Sequence, residues 1–276
     1  MNPRRRILVV TPTLGESRFL DETVDSVRAL PMEIMHVISA PAPRIAALQA
    51  RFPEARVVPD AGRAGGIYGA LNAALAAVPE GWDWFSYIND DDRLLPGFGG
   101  ACAEGDRSAG PPPVIYGDVQ LIEEEGRSLA RVTVERDPAW IPALLQQGIS
   151  PLMQQGMLFP REVVRQLGGF DTRYRLCADL DFWVRAYAQG ARFRHYPGDV
   201  GQFRIRNGQL SGDTTVTEGE QADIVRRHLP EAVSGVKRQM ARWRYRWCNL
   251  PRYLSRVRTR GWRTSYQILQ GEGGTQ

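Results

Sequence analysis

The stretch GGIYGALNAALAAVPEGWDWFSYINDDDRLLPG, residues 65–97, contains three sequence patterns in succession. Apolar residues first recur at helical spacing, at Ile67, Leu71, Ala74 and Val78, which predicts an amphipathic helix. The aromatic run WDWFSYI then predicts a buried strand, and three consecutive aspartates follow it. A helix that leads directly into a buried strand is the repeating unit of a parallel α/β sheet.

The same alternation of strand and helix precedes this stretch. Buried strands are predicted in RILVVTP, EIMHVIS and ARVVP, and helices in SRFLDETVDSVRALP and PRIAALQARF. Strands that alternate with helices of this length indicate βαβ units. The first half of the chain is therefore predicted to be a parallel sheet with helices on both faces, the arrangement of nucleotide-binding folds.

The pattern changes after the aspartates. VIYGDVQLIEEEGRSLARVTV predicts two antiparallel strands around a turn at residues 125–126, and QGMLFP predicts another strand. Helices are predicted in PAWIPALLQQG, REVVRQLGGF and ADLDFWVRAYAQG, and two closing strands in ARFRHYP and GQFRIR. The fold class is therefore α/β with a mixed central sheet, whose second half completes a site begun by the first.

Length and composition fit a cytoplasmic globular protein. The chain has 276 residues, of which 43% are hydrophobic, enough for one large α/β domain with a small appendage. Its three cysteines lie far apart and form no CxxC pair, so neither a disulfide framework nor a zinc site is expected. The apolar run at residues 7–10 is too short for a signal peptide, and no segment is long enough to span a membrane.

Charge is divided unevenly along the chain. Residues 237–263 hold ten lysines and arginines and no acidic residue, whereas residues 1–236 sum to about −5. Arginines alternate with tryptophan and tyrosine in this basic tail. One interpretation is docking on an anionic membrane surface, and a second is a solvated helical pair that packs its aromatic residues on the main body or on a second subunit. Nucleic-acid binding is not expected.

Three adjacent carboxylates at the end of a strand repel one another unless something compensates their charge. Ligands of open parallel sheets bind beyond the carboxyl ends of the strands, where this cluster is predicted to lie. A divalent cation would remove the repulsion, and substrate phosphates would complete its coordination shell. The alternative is a solvated acidic turn that caps a helix beginning near Pro96.

Five motifs occur in an order that resembles the family 2 glycosyltransferases, which have the GT-A fold. They read TPTLGE, GGIYGALN, YINDDDRLLPG, VIYGDVQL and GGFDTRYRLCADLDFWVRAYAQG. The most similar members are bacterial enzymes that build surface polysaccharides. The resemblance covers roughly residues 5–212 and implies a GT-A domain over residues 1–212, followed by a helical, Arg- and Trp-rich extension over residues 213–276.

The resemblance implies inverting transfer of a sugar from a nucleoside-diphosphate donor to a saccharide or polyprenyl-linked acceptor. Asp92 matches the aspartate that contacts Mn²⁺ or Mg²⁺, and Asp90 matches the residue near the donor ribose and first phosphate, with Asp91 between them. The remaining donor-binding residues implied are Pro12, Thr13, Leu14, Glu16, Asp60, Tyr68 and Asn72.

The sequence departs from the family pattern in two places. The stretch HVISAPAPR lacks the aspartate with which many relatives contact uracil, so a UDP-sugar is favoured but GDP and dTDP donors stay open. Arg206 and Asn207 stand where relatives sometimes supply a metal-binding histidine. Either the metal has only aspartate and phosphate ligands, or the dependence on metal is weak.

The resemblance also implies the catalytic base. Asp179 matches the carboxylate that takes a proton from the acceptor hydroxyl, and Asp181 is predicted to cap the helix or to pair with Arg185 at i+4. Asp118 and Gln155 match residues of the sugar and acceptor pocket. Two rival functions remain: a sugar-phosphate nucleotidylyltransferase, although TPTLGES lacks a basic phosphate loop, and a non-catalytic nucleotide-sugar binding protein.

Overall fold

The computed structural model describes residues 6–107, 110–206 and 214–251. Its first half contains seven of the helices and strands: β1 Ile7–Pro12, α1 Leu20–Arg28, β2 Ile34–Pro41, α2 Ile45–Arg51, β3 Arg56–Asp60, α3 Gly66–Ala77 and β4 Trp84–Tyr87. The four strands form a parallel sheet in the order β3-β2-β1-β4. The alternation predicted from the sequence is confirmed in this half.

The second half adds the remaining elements: β5 Arg93–Leu94, α4 Gly97–Asp106, β6 Val114–Ile122, β7 Ser128–Val132, α5 Ile141–Leu145, β8 Phe159–Pro160, α6 Arg161–Leu167, α7 Ala178–Ala188, β9 Phe193–Arg204, α8 Thr214–His228 and α9 Gly235–Cys248. β8 joins the first sheet antiparallel to β4, which makes that sheet mixed. A second sheet has the order β5-β9-β6-β7. Mutual backbone hydrogen bonds of 2.8 and 2.9 Å between Ile115 and Leu158 connect the two sheets.

Two predicted strands differ from the structure. ARFRHYP and GQFRIR were each predicted to be a strand, but they form the single strand β9, which runs parallel to β6. The register shifts between Gly117 and Asp118, so residues 197–198 bulge out of the ladder and a Pro-Gly pair does not end the strand. QGMLFP contributes only Phe159–Pro160, because backbone groups of its earlier residues bond to β6 and to a local turn instead.

An aromatic cluster joins α7 to the first sheet. Phe182 of α7 stacks on Phe170 with ring centroids 4.3 Å apart and meets Phe159 of β8 edge-on at 5.0 Å. Phe85 of β4 packs against all three rings at 6.1 to 6.4 Å. Burial of such rings contributes much of the stability of a core. The cluster packs α7 against β4 and β8.

The last two helices pack on different parts of the body. α8 lies against α7, and α9 lies against α5 through Ala241 and Tyr245. No helix in the described part of the chain is long and apolar enough to cross a bilayer. The predicted boundary at residues 212 and 213, and the end of the extension from residue 252 onward, lie outside the described residues. The division into two domains stays a prediction.

Candidate donor and catalytic site

The acidic cluster lies in the turn that follows β4, and its last member is completely buried. The carboxylate of Asp92 accepts hydrogen bonds from the backbone N–H of Arg204 and the side-chain amide of Gln155, both at 2.9 Å. Burial raises the pKa of Asp92 well above its ordinary value, and the neighbouring charge of Asp91 raises it further. The carboxylate is therefore held where its negative charge is costly.

Two arginines on and after β9 contact Asp91, one through its carboxylate and one through its backbone carbonyl. Arg206 donates from Nε to the carboxylate of Asp91 at 2.7 Å. The guanidinium of Arg204 is fully buried, donates to the backbone carbonyl of Asp91 at 2.8 Å and pairs with Glu22 at 2.6 Å. It also lies 4.2 Å from the ring centroid of Phe19. These contacts, which the sequence did not reveal, hold the acidic turn against α1 and β9.

Asp90 connects the cluster to the loop after β1. Its carboxylate accepts a hydrogen bond of 2.5 Å from the hydroxyl of Thr13, and its backbone carbonyl accepts one of 2.8 Å from Ser17. Burial raises the pKa of Asp90 to about 6, although the Thr13 bond favours the charged form. The structure thus brings together two residues that the sequence assigned to one donor site from positions 77 residues apart.

An open cavity of about 500 Å³ lies beside the same loop. It is lined by Leu14, Glu16, Pro41, Pro43, Arg44, Ala61, Gly62 and Arg63. Glu16 pairs with Arg44 at 3.3 Å and with Arg63 at 2.8 Å. The predicted residues Leu14 and Glu16 line the cavity, and the buried Pro12 ends the strand that leads to it. The sequence analysis did not identify Arg44 and Arg63 as residues of this cavity, although each follows a strand end that is rich in proline or glycine.

Asp60 shapes the rim of this cavity from the end of β3. Its carboxylate accepts a hydrogen bond from the hydroxyl of Ser39 at 3.0 Å and one from the backbone N–H of Gly62 at 2.6 Å. Gly62 has a φ of 58°, a conformation that suits glycine and turns the chain sharply toward α3. Asp60 therefore fixes the turn that carries Arg63.

Asp179 lies in the first turn of α7 and is partly exposed. Its carboxylate accepts a hydrogen bond of 3.1 Å from the hydroxyl of Tyr68 and one of 2.8 Å from the backbone N–H of Leu180. Burial raises its pKa, and the nearby charge of Glu220 adds to the increase. No ion pair to Asp179 is seen among the described residues.

Glu220 of α8 holds the segment that leads into α7. Its carboxylate accepts hydrogen bonds from the backbone N–H groups of Arg175, Leu176 and Cys177 at 2.7, 2.9 and 2.8 Å. These N–H groups belong to the three residues directly before α7, so Glu220 fixes the approach of the chain to the start of the helix. Sequence reasoning missed Glu220 because it is more than 40 residues away from the segment that it holds.

Tyr87 is the last residue of β4 and precedes the acidic cluster by three residues. Its hydroxyl pKa is raised well above the ordinary value by burial and then by the negative charges of Asp179 and Asp92. Its backbone carbonyl accepts a hydrogen bond of 2.6 Å from Gln154. Its ring packs edge-on against Phe170 at 5.7 Å, and Phe170 stacks at 5.9 Å on Tyr68, which donates to Asp179. The acidic turn and Asp179 are therefore joined through these side chains and can contribute to one site.

Three other predicted residues make well-defined contacts. Asn72 uses both ends of its amide on the backbone of Phe170, at 2.8 and 2.9 Å. Asp118 is buried, accepts a hydrogen bond of 3.0 Å from the backbone N–H of Val134 and pairs with Arg131 at 3.1 Å. Gln155 contacts Asp92, as described above. Contact of these three residues with donor or acceptor stays a prediction.

The predicted pairing of Asp181 with Arg185 is confirmed. The two side chains form an ion pair of 2.6 Å within α7, and His228 of α8 lies 3.1 Å from the other carboxylate oxygen of Asp181. Asp181 itself is buried. Asp181 therefore connects α7 to α8. Because it is two positions from Asp179, its side chain faces a different side of the helix.

The oxygen atoms around the acidic turn have the chemistry of a site for a hard cation. The side-chain carbonyls of Asn89 and Gln155 are buried beside the carboxylate of Asp92 and have no hydrogen-bond partner among the described residues. Carboxylate and amide oxygens are the ligands that Mg²⁺ and Mn²⁺ prefer. Within the described ranges, no three His, Cys, Asp or Glu side chains are grouped to hold a metal ion. Any cation here would draw its other ligands from amides, water and substrate.

Comparison with known sequences gives one family match. Residues 141–269 match a sequence model described as Glycosyl transferase family group 2. A search of curated proteins found no significant match. The matched segment contains α7 with Asp179, together with α8 and α9, and supports a glycosyltransferase.

Solved structures show the same architecture. S. aureus TarS superposes with a TM-score of 0.61 at 13% identity over 91% of this chain, which spans only 44% of that chain. TarS 1-349 in complex with UDP-GlcNAc gives a TM-score of 0.63 at 15% identity, over 93% of this chain and 74% of that one.

A third structure is the mannosyltransferase PcManGT from Pyrobaculum calidifontis in complex with GDP-Man and Mn²⁺, with a TM-score of 0.56 at 14% identity over 98% of this chain and 79% of that one. Identities this low establish the fold and no more. The chain has the GT-A fold of glycosyltransferases, as the resemblance predicted.

Proposed function

We propose that this protein is an inverting glycosyltransferase that moves a sugar from a nucleoside-diphosphate sugar to a saccharide or polyprenyl-linked acceptor. A UDP-sugar is the favoured donor. GDP- and dTDP-sugars remain alternatives because the stretch HVISAPAPR lacks the aspartate with which many family 2 enzymes contact uracil. The proposal assigns the reaction to the synthesis of bacterial surface polysaccharide, in the cytoplasm, with peripheral contact at the inner face of the membrane.

The contacts that lead from the acidic turn to Asp179 carry this proposal. Tyr87, three residues before Asp90, packs edge-on against Phe170 at 5.7 Å, Phe170 stacks on Tyr68 at 5.9 Å, and Tyr68 donates a hydrogen bond to Asp179. An inverting transfer needs these two parts close together, because the leaving diphosphate and the attacking hydroxyl stand on opposite sides of one sugar carbon. The cavity lined by Leu14 and Glu16 would take the nucleobase at the far end of the donor.

Asp179 is the proposed general base. It would accept the proton of the acceptor hydroxyl as that oxygen attacks the anomeric carbon and the bond to the diphosphate breaks. Its raised pKa makes it a better proton acceptor than an ordinary aspartate, and its partial exposure leaves it accessible to an acceptor. Tyr68, through its 3.1 Å hydrogen bond, would fix the orientation of the carboxylate.

Asp92 is the proposed protein ligand of Mn²⁺ or Mg²⁺, with the unpartnered carbonyls of Asn89 and Gln155 beside it. When bound, the cation would supply positive charge to the diphosphate as it leaves. Thr13 and Asp90 would hold the ribose and first phosphate, with Asn72, Asp60 and Tyr68 along the donor. Asp118 and Gln155 would face the transferred sugar and the acceptor.

The proposal is tested by calorimetric titration of UDP, GDP and dTDP into the purified protein, each with and without Mn²⁺. One nucleotide should bind more tightly than the other two, and its binding should weaken when the cation is withheld. The nucleotide that binds identifies the donor class. Failure of all three to bind under either condition would contradict the proposal.

A further inference from the structure

One helix exposes an apolar stripe unlike any other surface of the described residues. In the described part of the chain, the exposed large hydrophobic side chains all lie on or directly after α9: Val236 at 72%, Met240 at 55%, Trp243 at 64%, Trp247 at 77% and Leu250 at 41%. Exposed tryptophans are unfavourable in water, and single scattered apolar residues are the norm on a protein surface. A contiguous patch of this kind marks an interaction surface.

The five residues follow one another at intervals of four, three, four and three, which places them on one side of a helix. The inner side of α9 is formed by Ala241, Tyr245 and Asn249, which are buried against the body. At roughly 100° per residue, the stripe points away from these three and runs for about 20 Å along the helix. We call residues 236, 240, 243, 247 and 250 the outer stripe.

Basic side chains stand on both flanks of the outer stripe. Residues 235–251 contain five lysines and arginines and no acidic residue. On one flank Arg244 pairs with Glu135 and Lys237 lies over the ring of Trp140, and on the other flank Arg246 is exposed. The outer face of α9 therefore combines an apolar centre with a net positive border.

We propose that the outer stripe of α9 is a docking surface for an anionic lipid bilayer. Trp243 and Trp247 would enter the interface between headgroups and acyl chains, and Lys237 and Arg246 would contact lipid phosphates. An amphipathic helix with aromatic residues on one face and basic residues beside it binds such surfaces in the plane of the membrane. Each basic residue near an anionic surface adds to the attraction.

The charge pattern favours a lipid surface over the alternatives. A second copy of this chain packed along the same stripe would set lysine and arginine against lysine and arginine, with no acidic residue in residues 235–251 to compensate. A polynucleotide would use the basic and aromatic groups but would leave Val236, Met240 and Leu250 uncovered. A bilayer satisfies the apolar and the basic residues together.

The attachment of α9 connects this surface to the proposed acceptor pocket. The side-chain amide of Asn249 bonds to both backbone groups of Thr133, at 3.0 and 2.8 Å, and Arg244 bonds to Glu135. Val134, between them, donates its N–H to Asp118. Docking through the outer stripe would therefore hold the segment 133–135 and Asp118 at the side of the protein nearest the lipid.

The test is flotation of the full-length protein with vesicles, which needs neither donor nor turnover and is therefore independent of the proposed transfer. Vesicles of phosphatidylcholine alone are compared with vesicles that also contain phosphatidylglycerol, at low and at high salt. We expect binding only to the anionic vesicles, weakened by salt because lipid and protein charges are screened. Equal binding to both vesicle types, or to neither, would overturn the proposal.

Variants locate the surface. Replacement of both Trp243→Ala and Trp247→Ala should lower vesicle affinity by about ten-fold or more, whereas Trp243→Phe with Trp247→Phe should retain most of it. Lys237→Gln with Arg246→Gln should lower affinity on the order of ten-fold. The matched control, Arg56→Gln with Arg107→Gln, removes the same charge from exposed positions elsewhere and should have little effect. An equal loss in this control would overturn the assignment to α9.

Two further measurements distinguish a lipid bilayer from the other partners that the outer stripe could bind. Sedimentation velocity that shows a dimer, lost in the double tryptophan variant while vesicles are not bound, would assign the stripe to a second copy. Tight RNA or DNA binding that depends on Lys237 and Arg246, again without vesicle binding, would assign it to nucleic acid.

Discussion

The two carboxylate regions of the candidate site are built in opposite ways. The acidic turn combines hydrogen-bond donors with an arginine: Asp92 accepts from the backbone N–H of Arg204 and the amide of Gln155, and Asp91 pairs with Arg206. Asp179 accepts hydrogen bonds from Tyr68 and Leu180 and has an acid, Glu220, as its nearby charge. Both regions raise the pKa of a carboxyl group by burial, but among the described residues only the acidic turn also holds an ion pair, between Asp91 and Arg206.

This difference indicates two tasks. A turn that holds three carboxylates together with arginines and unpartnered carbonyl oxygens is arranged to bind charged groups, and its carboxylates need not exchange protons. A lone carboxylate with a raised pKa, partial exposure and a neighbouring acid is arranged to accept a proton. The variants below test whether binding and proton transfer separate in this way.

The largest effect is expected for Asp179→Asn. Removing the proton acceptor should lower kcat by about 10³-fold, within the range of general-base catalysis, because the amide has no basic oxygen. Release of nucleoside diphosphate in the presence of acceptor measures this loss. The matched control is Asp171→Asn, a change in the same segment at a residue paired with Arg173, which should leave turnover nearly unchanged. Turnover by Asp179→Asn at the wild-type rate would remove Asp179 from the role of base.

The second-largest effect is expected for Asp92→Asn. Loss of a carboxylate from the cation site should weaken Mn²⁺-dependent nucleotide binding by about 100-fold, as seen for changes around metal ligands. Calorimetry in the presence of Mn²⁺ measures it. Asp83→Asn, an exposed aspartate just before the other end of β4, is the control and should bind normally. Unchanged binding by Asp92→Asn would exclude this carboxylate from the donor site.

A smaller effect is expected for Glu220→Gln. The amide can accept fewer of the three backbone hydrogen bonds, so the start of α7 should loosen and kcat should fall by about ten-fold. Removing the negative charge should also lower the pKa of Asp179, so the base stays ionised to lower pH. The acid limb of kcat/KM should therefore move to lower pH.

The pH–rate profile separates a positioning role from general destabilisation, which would lower the rate without moving the limb. Glu218→Gln, an exposed residue one half-turn away on α8, is the control. A limb that stays in place in Glu220→Gln, or one that moves equally in Glu218→Gln, would contradict the role assigned to Glu220.

The smallest effect concerns stability. Because burial raises the pKa of Asp92, the folded protein holds a proton that the unfolded chain releases, and between the two pKa values stability must fall as pH rises. Asp92→Asn removes this dependence, so its melting temperature should exceed that of the wild type by about 2–4 °C above the folded pKa, and by less at lower pH. Melting curves without metal at several pH values measure the difference. A difference in melting temperature that becomes smaller as pH rises would contradict a raised pKa for Asp92.

Much of the fold could be predicted from sequence because its signals are local. The helical spacing of Leu71 and Val78, the aromatic strand before Asn89 and the αL glycine at Gly168 each act within one element. The single strand β9 could not be predicted in this way, because its continuity depends on pairing with β6 across a bulge. Local Pro-Gly chemistry was overridden by that ladder.

The site divides along the same line. The order of the motifs indicated Thr13, Asp90 and Asp179 as site residues. The side chains that determine their environment, however, come from distant parts of the chain. Arg204 reaches the acidic turn from 113 residues away, and Glu220 reaches Cys177 from 43 residues away. Neither Arg204 nor Glu220 belongs to a recognisable sequence motif. The role of each depends on the distant residues that it contacts.

The separation of binding from proton transfer is tested most directly by one calorimetric comparison. The nucleotide that binds most tightly is titrated, with Mn²⁺, into the wild type, Asp92→Asn and Asp179→Asn. We expect Asp179→Asn to bind like the wild type and Asp92→Asn to lose most of its affinity. If both variants lose affinity equally, or if Asp92→Asn binds like the wild type, the acidic turn and Asp179 do not divide the work as their surroundings indicate.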